Sequence, residues 1–383
     1  MLHTTLRHYV ALNLIHPYIG ARRAHRLLKK FGDIEGLFSA GEEQWRSVGL
    51  PERAIAQLAQ PEWQKVDAVF SWLDAPNRHL LLYGNAAYPA LLTHIADPPL
   101  LLYAEGEPAL LSRPQLAMVG SRHPTPSGDE TAYMLAAALA KLGFVIVSGM
   151  ALGIDAAAHR GALSANGKTV AVMGTGLDLI YPSRHQALAE QITQTGCLLS
   201  EYPLGTQALG RHFPMRNRII SGLSRGVIVV EAALKSGSLI TAKQALEQGR
   251  EVFAVPGSIH SPTSRGCHWL LREGAKLVEN IEDILSELDQ SGDLFLPAAT
   301  KTEEVIQVGL PDGDYAQVLA AVDFVPTSVD RIIERSGLTA DVVCSMLLIL
   351  ELYNIVHITS GGQYCRSTGI MAAETRVNEC GIV

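Results

Sequence analysis

The period of the apolar positions changes along the chain, and the changes divide it. Over residues 1–75 they recur at helical spacing. Leu6, Val10, Leu12, Leu14 and Ile15 make one amphipathic stretch. Gly20 opens a second, Ala21-Arg22-Arg23-Ala24-His25-Arg26-Leu27-Leu28-Lys29-Lys30-Phe31, which Gly32 closes. A weaker echo runs from Val48-Gly49-Leu50-Pro51 into residues 52–58. From Leu80 onward the apolar residues fall instead into short uncharged runs, rich in branched side chains and separated by helix-length stretches. Strands are predicted at 80–83, 100–103, 116–119, 144–147, 169–173, 197–199, 226–230, 251–255 and 275–278. Helices are predicted at 127–142, 154–165, 184–194, 215–223, 239–248, 266–273 and 280–288. Runs without polar alternation suit strands buried on both faces. Their alternation with helices gives an α/β fold, a doubly wound and mostly parallel sheet over 80–288. Residues 289–312 lose periodicity, carry Pro297 and Pro311, and read as a linker. Helices return at 315–322, 328–336 and 339–352, followed by a strand at 355–358, a Gly361-Gly362 turn and Tyr364. Three helices and a hairpin make a winged helix over 313–368, and 369–383 reads as a loose tail.

Charge changes this picture in one respect. The 383 residues carry a net −7, which alone argues against a nucleic-acid partner. The excess sits in one place, however: ten carboxylates between 279 and 314 face Lys301 alone. Between 211 and 250 the sign reverses, with Arg211, Arg216, Arg218, Arg225, Lys235, Lys243 and Arg250 against Glu231 and Glu247. A basic zone inside the α/β part can take a phosphate chain. The helical region 1–75 is open to two readings. A glycine followed by a basic helix is the helix-hairpin-helix pattern that grips DNA phosphates, and it is equally a small packing domain with a solvated basic face. No apolar stretch is long enough to span a membrane, and Arg7 and His8 interrupt the first apolar run, so no signal peptide is expected. Cys197, Cys267, Cys344, Cys365 and Cys380 are odd in number and lack metal-ligand spacing. They read as reduced thiols of a cytoplasmic protein without a metal.

Two predicted strands end in small-residue turns, Gly120-Ser121-Arg122 and Ser148-Gly149, each leading into an Ala-rich helix. Right-handed crossovers put both turns on the carboxyl edge of the sheet, where open α/β sheets bind ligands. Glycine permits close backbone approach, helix N-termini present N–H donors, and Arg122 adds a planar fork, so the edge is expected to hold phosphate. The stretch Phe213-Pro214-Met215-Arg216-Asn217-Arg218 sets two arginines at a predicted helix start, a poor electrostatic choice unless an anion meets them. Ser236-Gly237-Ser238, after the strand that ends at Glu231, is a further backbone cradle. Arg122, Arg216 and Arg218 would neutralise successive phosphates while bases lie against Phe213. Asp155 and His159 lie four apart on one helix face; they suit acid–base work, but Asp155 bracing the turn with His159 packed beneath is the preferred reading. The G-x-G at Gly174-Thr175-Gly176 lacks a third glycine, and its continuation to Tyr181-Pro182 breaks a helix start. No cofactor is expected.

The set resembles the DNA-processing protein A family (DprA, also called Smf). It is carried by Tyr88-Pro89, Asp97-Pro98-Pro99, Gly120-Ser121-Arg122 with Thr125 and Gly128, Ser148-Gly149 with Gly153-Ile154-Asp155, His159, Tyr181-Pro182, Ser200-Glu201, Phe213-Pro214 with Arg216-Asn217-Arg218, Glu231, Ser236 through Ala242, Pro256-Gly257 and Gly274-Ala275. The resemblance covers about 80–280 in order and implies a Rossmann-like domain flanked by a helical SAM or helix-hairpin-helix-like domain and a winged helix. It implies a single-stranded DNA binder that protects DNA entering during natural transformation and loads the RecA recombinase on it. It further implies a homodimer joined through the Rossmann-like domains, and no catalysis. It places Arg122 and Arg216-Asn217-Arg218 on DNA phosphates, with Gly120, Ser121, Ser148, Gly149 and Ser236, Gly237, Ser238 giving close contacts. Asp155, His159 and Glu231 are assigned to bracing, and helix 239–248 to part of a subunit contact. Ser127 and His268 depart from the family pattern, where an aromatic residue and Asn are common. The third helix of the winged helix, 339–352, carries Asp341 and Glu351 and no Lys or Arg, which suits protein contact better than a DNA groove. The alternative is a nucleotide-monophosphate phosphoribohydrolase-like enzyme using Glu231 as an acid–base group, although the glycine-rich signature of those enzymes is absent.

Overall fold

The computed structural model describes residues 2–289, 314–353, 355–359 and 361–366. The predicted linker, apart from Asp289, and the predicted tail lie outside the described residues. The chain divides into two compact units, the helical and α/β parts together and the C-terminal segment.

Six helices open the first unit: α1 (Leu2–Leu14), α2 (Ala21–Phe31), α3 (Ile34–Ser39), α4 (Glu42–Ser47), α5 (Glu52–Ala59) and α6 (Trp63–Trp72). Leu12, Ile15, Leu27, Leu37, Trp45 and Ile55 give them a core of their own. A second core joins them to the sheet, where Val10, Val66, Val69 and Trp72 pack on Leu101 and Tyr103. Asn13 stitches the two parts together, donating to the Glu201 carbonyl (3.2 Å) and accepting from the Tyr103 hydroxyl (3.0 Å).

Among the described residues nine strands form one sheet: β1 (Arg78–Leu82), β2 (Leu101–Gly106), β3 (Gln115–Gly120), β4 (Val145–Ser148), β5 (Lys168–Val172), β6 (Cys197–Ser200), β7 (Gly226–Val230), β8 (Glu251–Ala254) and β9 (Lys276–Leu277). Their order is β1-β2-β6-β5-β4-β3-β7-β8-β9. Strands β3 to β9 run parallel, and β2 is antiparallel to both β1 and β6. The winding changes direction between β3 and β7, which makes their carboxyl ends the switch point. Successive residues of a strand point to opposite faces. Thus Ala117, Val119, Val145, Val147, Val227 and Val229 meet the helices of one face, while Leu116, Met118, Ile146, Ile228 and Val230 meet those of the other. Both sets are buried, hence the uninterrupted apolar runs. The covering helices are α7 (Pro126–Lys141), α8 (Ile154–Ser164), α9 (Gln186–Thr195), α10 (His212–Leu223), α11 (Gly237–Glu247), α12 (Arg265–Arg272) and α13 (Ile281–Asp289). Helices α7 and α8 are alanine-rich because they pack closely: a Cβ on Gly161 would lie 2.1 Å from the Tyr133 carbonyl oxygen.

The second unit is a winged helix. Helices α14 (Asp314–Ala321), α15 (Val329–Ser336) and α16 (Ala340–Leu352) enclose Val318, Val322, Ile332, Val343 and Leu347, and β10 (Val356–Thr359) pairs with β11 (Gln363–Arg366). The α15–α16 turn needs a left-handed residue, which Gly337 supplies (φ 66°). Arg335 lies 3.8 Å from Asp323, so its charge is offset, while Val342 and Leu348 of α16 are exposed.

Candidate nucleic-acid interface

The site is built at the carboxyl ends of β3, β4, β5 and β7. At the switch point the backbones approach so closely that a Cβ on Gly120 would lie 1.8 Å from the Val230 carbonyl oxygen. The following turn is held by its own atoms: the Ser121 hydroxyl accepts from the His123 N–H (3.1 Å), and the Ser121 carbonyl accepts from the Ile154 N–H (3.1 Å) at the start of α8. Arg122 projects from this turn, exposed.

The N-terminus of α7 is already occupied. Glu231, in the left-handed region (φ 50°), lays its carboxylate over it and accepts from the Thr125 N–H (2.9 Å) and hydroxyl (2.5 Å). A Cβ on Gly128 would lie 2.4 Å from that carboxyl carbon. The N-terminal turn of α8 likewise meets an internal carboxylate: Asp155 accepts from the Gly149 and Ala151 N–H groups, each at 3.1 Å. Burial raises the Asp155 pKa, against the pull of Arg216 and these donors. His159 is fully buried against Thr169 (2.7 Å), whose hydroxyl donates to the Ile146 carbonyl (2.7 Å). Thr169 therefore accepts from His159 Nδ1–H, which assigns the neutral tautomer. Burial, then His185 and Arg216, lower its pKa to about 3.

The expected convergence of three arginines on one groove is corrected by the structure. Helix α10 begins at His212, so Arg216 and Arg218 lie beyond its first turn, two positions and about 200° apart around the helix. Arg218 turns instead to the carboxyl end of β6, into an ion cluster with Glu201 (2.6 Å) and Asp97 (3.1 Å). Burial opposes its charge, but the two carboxylates outweigh that and hold its pKa above the ordinary value. Arg216 crosses beneath the edge and donates to the Gly149 and Val172 carbonyls, at the ends of β4 and β5. It is 3% exposed. Burial lowers its pKa to about 10; Asp155 and Tyr202 counter this, and the nearby Arg122 adds to it. Ser148 and Gly149 are also spent internally, because the Ser148 hydroxyl donates to the Met118 carbonyl (2.6 Å) and Gly149 makes room for the Arg216 guanidinium. Ser236 caps α11, its hydroxyl 2.6 Å from that of Ser238, and Asn217 donates to the Gly237 carbonyl (3.4 Å), tying α10 to α11.

What remains open on the surface is a smaller cluster. The Arg122 guanidinium lies over the Phe213 ring, 5.7 Å from its centroid, and the Tyr181 ring lies 5.6 Å from that of Phe213, tilted by 38°. Phe213 can lie flat there because a Cβ on Gly174 would come within 3.0 Å of it. Tyr181 is 51% exposed. From the sequence, Tyr181-Pro182 stands as a pair that breaks a helix start and as part of the family resemblance, without a binding role; the signal available was an aromatic residue in the loop that follows β5 on the carboxyl edge. The cluster offers a cation over an aromatic face and a second ring, with the buried charge of Arg216 near enough to feel Arg122. Glu231, bound to the Thr125 N–H and hydroxyl, faces α7 instead.

Residues 79–289 match the family model described as DNA recombination-mediator protein A, and residues 298–362 match the DprA winged helix domain. Protein Smf of Escherichia coli is 43% identical over 322 residues, which span 83% of this chain and 85% of that protein. DNA processing protein DprA of Streptococcus pneumoniae is 50% identical over 202 residues, 53% of this chain and 71% of that one. The solved structure of DprA from S. pneumoniae superposes with a TM-score of 0.64 at 38% identity, covering 73% of this chain and 97% of its own. That of DNA processing protein A from Helicobacter pylori, reported for its single-stranded DNA binding mode, gives 0.51 at 35% identity, covering 56% and 96%. With a matching Rossmann-like core, a matching winged helix and a relative aligned over most of both chains, this chain belongs to the DNA recombination-mediator protein A family, the DprA/Smf proteins.

Proposed function

We propose that the Arg122–Phe213–Tyr181 surface binds single-stranded DNA, and that the protein acts without catalysis to protect DNA entering in natural transformation and to load RecA on it. It does so as a homodimer joined through its Rossmann-like domains. One observation carries the binding reading: an exposed guanidinium lies over an aromatic ring, near enough to a second, buried arginine to lower that arginine's pKa. Two nearby positive charges disfavour each other, and a phosphate set against Arg122 relieves both. Bases have a π-face whatever their identity, so Phe213 and Tyr181 suit a strand of any sequence. The H. pylori relative's reported single-strand binding supports the same reading. A phosphoribohydrolase role is disfavoured because the Glu231 carboxylate is occupied by two donors of Thr125.

The test is oligothymidylate binding, followed by fluorescence anisotropy over a range of salt. Arg122→Ala removes one charge-assisted phosphate contact, so affinity falls by about 1.5–3 kcal/mol and the salt slope flattens by about 0.7. Phe213→Ala weakens binding by about 1–3 kcal/mol through lost stacking and leaves the slope unchanged. Unaltered affinity and slope in Arg122→Ala overturn the binding reading. RecA loading is tested separately, by stimulation of RecA assembly on a strand coated with single-strand-binding protein.

A further inference from the structure

Helix α2 presents a row of cations that the site above does not use. Arg22, Arg26, Lys29 and Lys30 are all exposed, and at 100° per residue they fall within an arc of about 100°. None of the four makes a salt bridge with a described residue, in contrast to Arg46 and Arg78 of the same unit. The other basic residues of the helix are spent on the fold: Arg23 donates to the Tyr18 carbonyl (2.6 Å), and His25 meets the Pro98 carbonyl (2.9 Å). The helix thus divides its basic residues into anchors and an open row. Evenly solvated charge would not require that division.

The row begins at a cleft beside α10. Arg22 lines this cleft, of about 410 Å³, together with Pro214 and Met215, the two residues after Phe213. Met215 and Ile240 at this cleft are 44% and 42% exposed, so part of its lining is open and apolar. The carboxylates present are engaged: Asp97 pairs with Arg218 at 3.1 Å, and Glu247 lies 3.9 Å from Lys243. Phe213 and Met215 lie about 200° apart on α10, so a chain leaving Phe213 passes around the first turn of that helix to enter the cleft at Met215; from Arg22 it can continue along α2 for about 12 Å, the rise of eight residues.

We infer that α2 is a second, sequence-independent contact for the same DNA strand, holding its phosphates after they leave the Arg122–Phe213 surface. The inference rests on the single-strand reading of that surface. The helical domain thereby lengthens the bound footprint without altering the primary site.

The experiment uses the full chain and two oligothymidylates, one of about six nucleotides and one of about twenty. The variant carries Arg22→Ala, Arg26→Ala, Lys29→Ala and Lys30→Ala together. Expected is unchanged affinity for the short oligomer, a loss of tenfold or more for the long one, and a salt slope for the long one flatter by about 2, the release from three phosphates at about 0.7 each. Fluorescence of Trp45, which is buried and donates to the Leu37 carbonyl (3.0 Å), reports whether the helical core stays folded, and a variant with four lysines instead must bind the long oligomer as the parent does. Binding of the long oligomer by the alanine variant as tight as by the parent overturns the inference, as does an equal loss on both lengths. Failure of the single-strand reading itself shows differently, as a parent that binds neither oligomer or an Arg122→Ala variant that binds the short one normally.

Discussion

Gly149→Ala tests the internal brace of the site. The added Cβ would stand 2.3 Å from Arg216 Nη1, 2.6 Å from Cζ and 2.7 Å from Nη2. A flexible side chain often escapes such a clash, but this one is held by the Gly149 and Val172 carbonyls and is 3% exposed. Moving it breaks two charge-assisted hydrogen bonds, worth about 1.5–3 kcal/mol each, and strands a buried cation, which costs about 3–5 kcal/mol. These figures describe one event and do not add, so the expected destabilisation is about 3–5 kcal/mol. Urea unfolding followed by tryptophan fluorescence measures it cleanly, because all four tryptophans (45, 63, 72 and 269) lie in the first unit. Gly210→Ala is the control: no atom lies within 4 Å of the added Cβ, and a change within about 0.5 kcal/mol is expected. A loss under about 1 kcal/mol in Gly149→Ala would show that Arg216 is not pinned and that the brace described here is wrong.

Other outcomes follow from the same geometry. Arg218→Met leaves Glu201 and Asp97 facing each other without a cation and should destabilise by about 3 kcal/mol, whereas Arg218→Lys keeps the charge, loses the fork, and binds oligothymidylate like the parent; weaker DNA binding by a folded Arg218→Lys chain would return Arg218 to the interface. Burial lowers the pKa of His159 to about 3 and, with His212, that of His16 to about 4, so the unfolded chain takes up protons below pH 6.5 that the folded chain refuses. Stability is therefore full above that pH and lost as pH falls, and His159→Gln should remove about 2 kcal/mol of the decline between pH 7.5 and 5; an unchanged urea-midpoint profile would show that His159 is not held neutral. Arg331→Ala with Arg335→Ala should leave duplex DNA binding unchanged in a gel-shift titration, since α16 carries no cation; a clear loss would make the winged helix a groove reader.

Most of the scaffold could be read from the chain because strands buried on both faces leave an unmistakable pattern. Leu116, Ala117, Met118 and Val119 have no polar partner to alternate with, and the predicted helices begin and end within about three residues of the observed ones. The carboxyl edge was equally readable, since Gly120 marks a close backbone approach to Val230 and Gly149 makes room for the Arg216 guanidinium. Which atoms meet at that edge was not. Arg216 and Arg218 look like neighbours in the sequence, but two positions along a helix are about 200° apart, so one passes under the sheet edge and the other meets Glu201, partners that the sequence does not display. Ser148 and Gly149 look like ligand donors until Asp155 and Arg216 are seen to claim them. Tyr181 was passed over because its value depends on Phe213, thirty-two residues away in the chain.

The Glu231 carboxylate has a consequence for competition. Doubly wound sheets ordinarily receive the phosphate of a free nucleotide at the helix start beside their switch point. Here that berth holds a fixed negative charge, so a single nucleotide arriving from solution meets repulsion where its relatives elsewhere meet welcome. On the proposed binding surface, a polymer resting across the rim against Arg122 and the two rings would stay out of the berth. Rising and falling nucleotide levels would then leave such a strand in place.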